Sequence, residues 1–319
     1  NKIGNNTSLR FVNFGFNYHK SKNFNRLFSM GGALDNLSQS FQLAQEMERY
    51  GLTESEFNDI LDVKNPYTKY WNQLPVLGVM GVRTGVVDWF NDPEKNIHAP
   101  WGWNGFNNNF FSKETGGISQ YDFNVSFNIE DRVYLGATLG VYDVNYDRYT
   151  SYTENLNDDN GADNGGYTLD NYYRLEGTGM DLKLGVIVRP IESSPFRLGF
   201  AVHTPTWYDL RESYNATLSS DILAYEKPYI QTLSDFLVTP EYDYLTYDYN
   251  LTTPWKFNVS AGTTFAGAVA VGAEYEYQDY SSSKLKDVDG YELGDQPSVE
   301  NYLKGVHTFR IGMETRIIP

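Results

Sequence analysis

From Gln120 to Ile129 the chain alternates without a break: Tyr121, Phe123, Val125, Phe127 and Ile129 are apolar, while Gln120, Asp122, Asn124, Ser126 and Asn128 are polar. A period of two belongs to an extended strand with two unlike faces. The same dyad returns at Val12, Phe14, Phe16 and Tyr18, at Met180, Leu182, Leu184, Val186 and Val188, and at Phe196, Leu198, Phe200 and Val202. The pattern predicts about eight strands, near 8–19, 117–130, 132–150, 171–189, 196–217, 242–262, 266–281 and 303–318. Their connections are short at Glu130-Asp131, 190–195 and 263–265, and long at 20–116, 151–170, 218–241 and 282–302. Short turns at one end and long loops at the other are the organisation of a transmembrane antiparallel β-barrel. The expected fold class is therefore all-β, a single barrel domain over 1–319 with 20–116 inserted as an external loop and Asn1 on the periplasmic side.

Composition separates this reading from a soluble sandwich, which also alternates. The chain holds 26 Tyr, 19 Phe and 6 Trp, more aromatic surface than one interior uses. The faces opposite the apolar positions are small or uncharged over much of their length, with isolated charges at Arg10, Asp181, Lys183 and Arg197, as suits a crowded, hydrated lumen. A charge turned to the middle of a bilayer would cost about 2–4 kcal/mol for Arg or Lys, and the apolar positions carry none. No run of 18 apolar residues exists for a helical crossing. Cysteine is absent, which removes disulfides and thiolate chemistry, and a net charge of −16 argues against nucleic acid and polybasic lipid contacts. No leader pattern precedes the first strand, and the last alternating segment stops at Pro319 without an evident partner strand, so the chain reads as an internal fragment.

The long connection at 20–116 reads as partly helical. Leu37, Phe41, Ala44 and Met47 have helical spacing, with Gly51 as the stop. Thr53 and Glu56 form a capping box for a second helix, Thr53 to Asp62. Then follows the greasiest segment of the chain, from which Trp71, Leu74, Leu77, Met80, Trp89 and Phe90 are the candidate residues of a groove for an apolar ligand. The alternative for the same run is packing against the helices before it.

Several short strings carry a family resemblance. His203-Thr204-Pro205-Thr206 follows Phe196-Arg197-Leu198-Gly199-Phe200, Thr253-Pro254-Trp255-Lys256 opens a strand, and Ala273-Glu274-Tyr275-Glu276-Tyr277-Gln278-Asp279-Tyr280-Ser281 closes another. Gly177-Thr178-Gly179, leading to Lys183-Leu184-Gly185-Val186 and Arg189-Pro190, fits the same order. Together, over about 116–319, they resemble the FadL/TodX family of outer-membrane transporters of long-chain fatty acids and hydrocarbons, in a Bacteroidetes-like form. The resemblance implies a fourteen-stranded barrel closed by an N-terminal hatch, of which this chain would supply the fifth to twelfth strands and lack the hatch and the terminal strands. It implies an external apolar groove on the loop 20–116, and an inner site where basic groups hold a carboxylate. Lys286, with Lys284 beside it in Tyr280-Ser281-Ser282-Ser283-Lys284-Leu285-Lys286, resembles one supplier of that charge.

Chemistry is not prominent. His19, His98, His203 and His307 lie in no nucleophile motif, no Gly-x-Ser-x-Gly occurs, and the acids of 151–170 lack the spacing of a calcium loop. No enzyme, catalytic residue, metal or cofactor is expected. The expected partners are a hydrophobic small molecule (fatty acid, hydrocarbon or detergent) and outer-membrane lipid, with no nucleic acid and a monomeric state. Two other functions use the same features: a structural or adhesive outer-membrane barrel, whose loops carry tyrosines such as Tyr242, Tyr244, Tyr247 and Tyr249, and a polar-solute porin.

Overall fold

The computed structural model describes residues 8–64, 69–70, 73–94, 97–158, 160–223, 229–232 and 245–315. In chain order these form β1 (Leu9–Asn23), β2 (Arg26–Ala33), α1 (Gln39–Arg49), α2 (Glu54–Asp62), α3 (Val76–Arg83), a small hairpin of β3 (Asp88–Asp92) and β4 (Ile97–Trp101), β5 (Asn104–Ile129), β6 (Val133–Asn157), β7 (Asp163–Val188), β8 (Arg197–His203), β9 (Trp207–Ser220), β10 (Tyr229–Thr232), β11 (Leu245–Thr252), β12 (Lys256–Phe265), β13 (Val269–Asp279), β14 (Lys284–Asp287), α4 (Gln296–Tyr302) and β15 (Gly305–Thr315). The strands join into one antiparallel sheet that curls into a half-barrel, ordered β1-β5-β6-β7-β8-β12-β13-β15, with β2, β9, β10, β11 and β14 extending it at the long-loop end. Among the described strands, β15 pairs with β13 alone.

Two of the short connections are tight turns built on left-handed backbone. Glu130 (φ 54°) and Asp131 (φ 55°) hold both central positions of one, closed by Arg132 N–H donating to the Ile129 carbonyl at 3.0 Å. Ala266 and Gly267 do the same beside Phe265. Paired positive φ values match the twist of the flanking strands, which is why such turns close hairpins.

The two faces of the sheet differ as the alternation predicts. Phe14 (81% exposed), Phe123, Leu184, Phe200, Phe257, Phe309 and Ile311 (84%) stand on one side, in register from β1 to β15. On the other side Gln120, Asp122 and Asp181 are buried. Crowding of the polar side and openness of the apolar side make the polar face the concave one. A shallow depression of about 610 Å³ lies over Ala137 on the convex face, lined by Leu135, Leu184, Phe200 and Phe257.

Strand ends depart from the sequence-based expectation in several places. Residues 20–33 and 104–116 are wall strands, so the helices occupy only 39–83. The segments expected at 196–217 and 242–262 are each broken, between β8 and β9 and between β11 and β12. Pro205 and Pro254 sit at these breaks, and a proline cannot donate to a ladder. Neighbouring threonines bridge the gap: Thr206 N–H donates to Thr253 Oγ1 (2.7 Å), Thr253 N–H to the Thr206 carbonyl (3.0 Å), and Leu182 N–H to Thr204 Oγ1 (2.9 Å). β8 and β9 therefore run end to end along β7, which pairs with β9 over Tyr167–Met180 and with β8 over Lys183–Val188.

The helices carry local signals that the sequence announces. Ser38 Oγ accepts from Ser40 N–H (2.9 Å) at the start of α1, so Leu37 lies outside that helix and is exposed. At its end Leu52 N–H reaches the Met47 carbonyl and Gly51 N–H the Glu48 carbonyl, with Gly51 at φ 79°, a Schellman stop. Thr53 and Glu56 exchange the two bonds of the capping box. Arg83, the only charge on α3, donates from Nη1 to the carbonyls of Ile60, Leu61 and Val63 at 2.7–3.2 Å, and so closes the C-terminus of α2. Arg83→Met removes these charge-assisted bonds and is expected to destabilise the docking of α2 on α3 by about 1.5–3 kcal/mol. Faster amide exchange over 54–63 with unchanged exchange in β6 and β7 would bear this out; unchanged exchange over 54–63 would refute it.

Candidate functional site: the concave wall and its helical cap

The helices form a cap seated on the concave face at the long-loop end. Its core joins Leu43, Ala44 and Met47 of α1, Phe57 and Ile60 of α2, and Val79, Met80 and Val82 of α3 to Leu156, Tyr167, Leu169, Ala216 and Leu218 of the wall. Gly78 lies against Met47 Sδ, where a Cβ would not fit, and this lets α3 approach α1 closely. Ser220 Oγ donates to the Thr84 carbonyl, and Trp103 Nε1 to the Gly85 carbonyl, so the end of α3 is fixed by polar contacts too.

A buried carboxylate sits at the joint. Glu154 on β6 is 0% exposed, and its Oε2 accepts from Gln39 N–H (3.1 Å), Tyr152 OH (2.8 Å) and Tyr167 OH (2.7 Å). Gln39 N–H is one of the free donors in the first turn of α1, so the charge lies where the helix dipole favours it. Burial and the neighbouring Glu154 push the Tyr167 phenol far up, and burial pushes Tyr152 up to about 12. Both hydroxyls therefore stay protonated and remain donors.

The sequence-predicted groove residues divide. Met80 is 0% exposed and Leu74 is buried, both inside the cap core. Leu77 and Trp89 are partly buried against that core, with the Trp89 ring 5.7 Å from Phe57. Phe90 stacks near Trp101 at 5.1 Å on the β3–β4 hairpin. Trp71 lies outside the described residues. The run from Leu74 to Val87 is thus covered mainly by its own helices and by the wall.

Lys284 and Lys286 lie elsewhere, on β14 in the connection between β13 and β15. Lys284 Nζ is 2.7 Å from Glu300 Oε1 and 3.7 Å from Glu292 Oε1. Its hydrogen bond to Glu300 raises the ammonium above the ordinary lysine range. Lys286 pairs through its backbone with Asn250 of β11 and is half-buried. The long connection expected at 151–170 is instead mostly wall, because β6 runs to Asn157 and β7 starts at Asp163; in the short turn left between them Asp158 Oδ1 accepts from the N–H groups of Asn160 and Ala162, so this carboxylate shapes its own turn. Tyr242 and Tyr244 lie outside the described residues.

Below the cap the concave wall carries two ion networks. Lys183 Nζ is 3.1 Å from Asp122 and 3.8 Å from Asp181, and Asp181 also accepts from Tyr142 OH (2.7 Å). Arg310 bonds Glu274 and Glu276, and Lys256 lies 3.8 Å from Glu276. His203 stands between them, in register with Lys183 on one side and Lys256 on the other. A concave space of about 660 Å³ runs past Thr138, Lys183, His203, Asn258 and Glu276.

Sequence reasoning had not singled out Glu154, Tyr152, Tyr167 or the wall between cap and ion networks. Parity was the available signal, because Tyr142, Tyr146, Tyr152 and Glu154 fall on one face of a single strand. Their partners on β7 and β9 come from pairings that no local pattern specifies. No family model matches the chain, and neither a curated protein nor a solved structure matches it.

Proposed function

We propose that this chain forms part of the wall, together with the external cap, of an outer-membrane barrel that passes hydrophobic small molecules, such as long-chain fatty acids or hydrocarbons, inward by passive uptake. The membrane assignment is supported by the exposed apolar face. On β5 it runs for nine residues, Tyr121 to Ile129, the length with which a tilted strand of 9–11 residues crosses hydrocarbon. Tyr18, Tyr121, Trp207, Trp255 and Tyr277 line its upper margin, in keeping with an aromatic girdle.

The observation that carries the transport reading is the apolar continuity between cap and wall. Leu74 to Val87 meets Leu156, Leu169 and Leu218 directly over the concave face, whereas a loop guarding a polar pore would present charge there. Each methylene leaving water is favoured by about 0.8 kcal/mol, so a ligand is drawn first to the cap fringe and then to the wall beneath. In this scheme Leu77, Trp89 and Phe90 form the accessible fringe, and Leu74 and Met80 the support behind it. Lys286 and Lys284 remain the proposed carboxylate ligands of the family-type inner site.

β1 rises from the short-turn end and β15 descends to it, so an even number of further antiparallel strands closes the sheet, and six would give the fourteen implied by the family resemblance. A porin for polar solutes is the second reading, favoured by the ion networks around Lys183 and Glu276. Native mass spectrometry of the full-length protein in mild detergent separates the two. Retained fatty acid or hydrocarbon is the expected result; sugars or peptides without any lipid would overturn the proposal.

A further inference from the structure

On β6 and β7 the apolar belt of the convex face ends at Val141 and Met180, in the row of Tyr121 and Trp207. Above that row the convex face continues with the same parity, and the pairing of β6 with its neighbours has no register shift up to Thr153. Over the next six outward positions of β5, β6, β7 and β9 the side chains are polar or glycine, apart from three rings. The three meet. Tyr149 stands opposite Tyr172 with ring centroids 5.0 Å apart, and Phe111 lies 6.1 Å from Tyr149. Tyr172 is 41% exposed, so the group presents a ring face outward.

Polar groups frame these rings. Tyr149 OH donates to Asp170 Oδ1 (2.8 Å), and one row below Arg174 Nε donates to Asp147 Oδ1 (2.7 Å). A carboxylate accepts through two oxygens, so Asp147 and Asp170 can each take a further hydroxyl donor. An aromatic face edged by carboxylates and a guanidinium matches a pyranose, which has an apolar C–H face and a rim of hydroxyls.

Height selects the occupant. Tyr149 lies eight residues beyond Val141, roughly 26 Å along the strand and, at a tilt of 35–45°, about 20 Å above the belt. The headgroup zone extends only about 5–8 Å outside the hydrocarbon, so neither acyl chains nor headgroup phosphates reach the rings. On the outer side of an outer membrane, the layer at that height is the saccharide of lipopolysaccharide. Asp143, Glu176 and Asp209, lower on the same face, make the approach acidic, which favours uncharged sugar over phosphate as the docking part.

We propose that Tyr149, Tyr172 and Phe111 form a platform on the outer wall for the saccharide of neighbouring lipopolysaccharide, with the rings against sugar C–H faces and Asp147, Asp170 and Arg174 bonding the hydroxyls. This rests on the proposed membrane location and is separate from the route through the barrel.

The test titrates lipid-free, dephosphorylated core oligosaccharide from a rough-form lipopolysaccharide against the full-length protein in amphipol, read by saturation-transfer NMR. The wild-type protein should bind it, and Tyr172→Ser and Phe111→Ser should each weaken binding about fivefold, the scale of one ring contact. Tyr172→Phe, which keeps the ring, should bind as the wild type does. Unchanged heat-modifiable migration on gels confirms that the variants are folded. Wild-type binding by Tyr172→Ser, equal loss in Tyr172→Phe, or binding only when phosphates are retained would each overturn the platform. If the wild-type protein fractionates with the outer membrane and binds no oligosaccharide, the platform is wrong and the location stands; if it does not fractionate there, both fall.

Discussion

Leu184→Arg is expected to abolish assembly into the outer membrane, with Val125→Arg close behind. Both side chains stand on the convex face, Leu184 at 44% exposure in the middle of the apolar belt with Ala137 and Val202 as its register neighbours. Arginine there has no acid to pair with, because the ion networks occupy the opposite face. The penalty at mid-bilayer is about 2–4 kcal/mol per arginine, against a total stability of about 5–15 kcal/mol. Thr138→Lys, on the concave face beside Lys183, tests facing by placing charge on the opposite side of the sheet. Outer-membrane yield measured by fractionation should drop steeply for the first two variants and far less for Thr138→Lys. Wild-type yield for Leu184→Arg would overturn the assignment of faces and the proposed membrane location with it.

Met80→Asp is expected to undock the cap, and Leu77→Asp to leave it folded. Met80 is fully enclosed by α1, α2 and the wall. Replacing it removes the packing of a core side chain, about 2–5 kcal/mol for truncation alone, and adds an unpaired carboxylate. Leu77 is only partly buried, so its aspartate can turn to water. Limited proteolysis should cut Met80→Asp within 34–103 while the strands survive, and should spare Leu77→Asp. Uptake of a fluorescent fatty acid should fall in both, for different reasons: loss of the cap in one and a charged fringe in the other. Normal uptake by a folded Leu77→Asp protein would remove that residue from the route.

The strands were legible where the two faces meet unlike surroundings. Tyr121 to Ile129 alternates strictly because one face is apolar and the other polar, and the pairing of Phe14 with Val125 and Phe16 with Phe123 follows that parity. The capping box at Thr53 and the stop at Gly51 were legible because their partners are three or four residues away. Above the belt the signal fades: Asn107, Asn108 and Asn109 lie within β5 but as three polar residues in a row they break the alternation, so nothing in their order announces a strand. Pro205 and Pro254 look like ordinary turn residues, and only their meeting across the sheet reveals an aligned break. The cap was the hardest to read. Whether Met80 lines a groove or fills a core depends on Leu156, Leu169 and Leu218, which lie more than seventy residues further along the chain.

Among the described strands β15 is paired on one side only, which bears on how the wall would enter a bilayer under the proposed location. About half of its eleven residues direct main-chain N–H and C=O groups away from β13. In oil each of these costs several kcal/mol if it stays unmatched, a sum larger than the stability of a typical domain. If the proposed membrane location holds, the flank of β15 beside Phe309 and Ile311 is therefore expected to find a strand partner before or during entry.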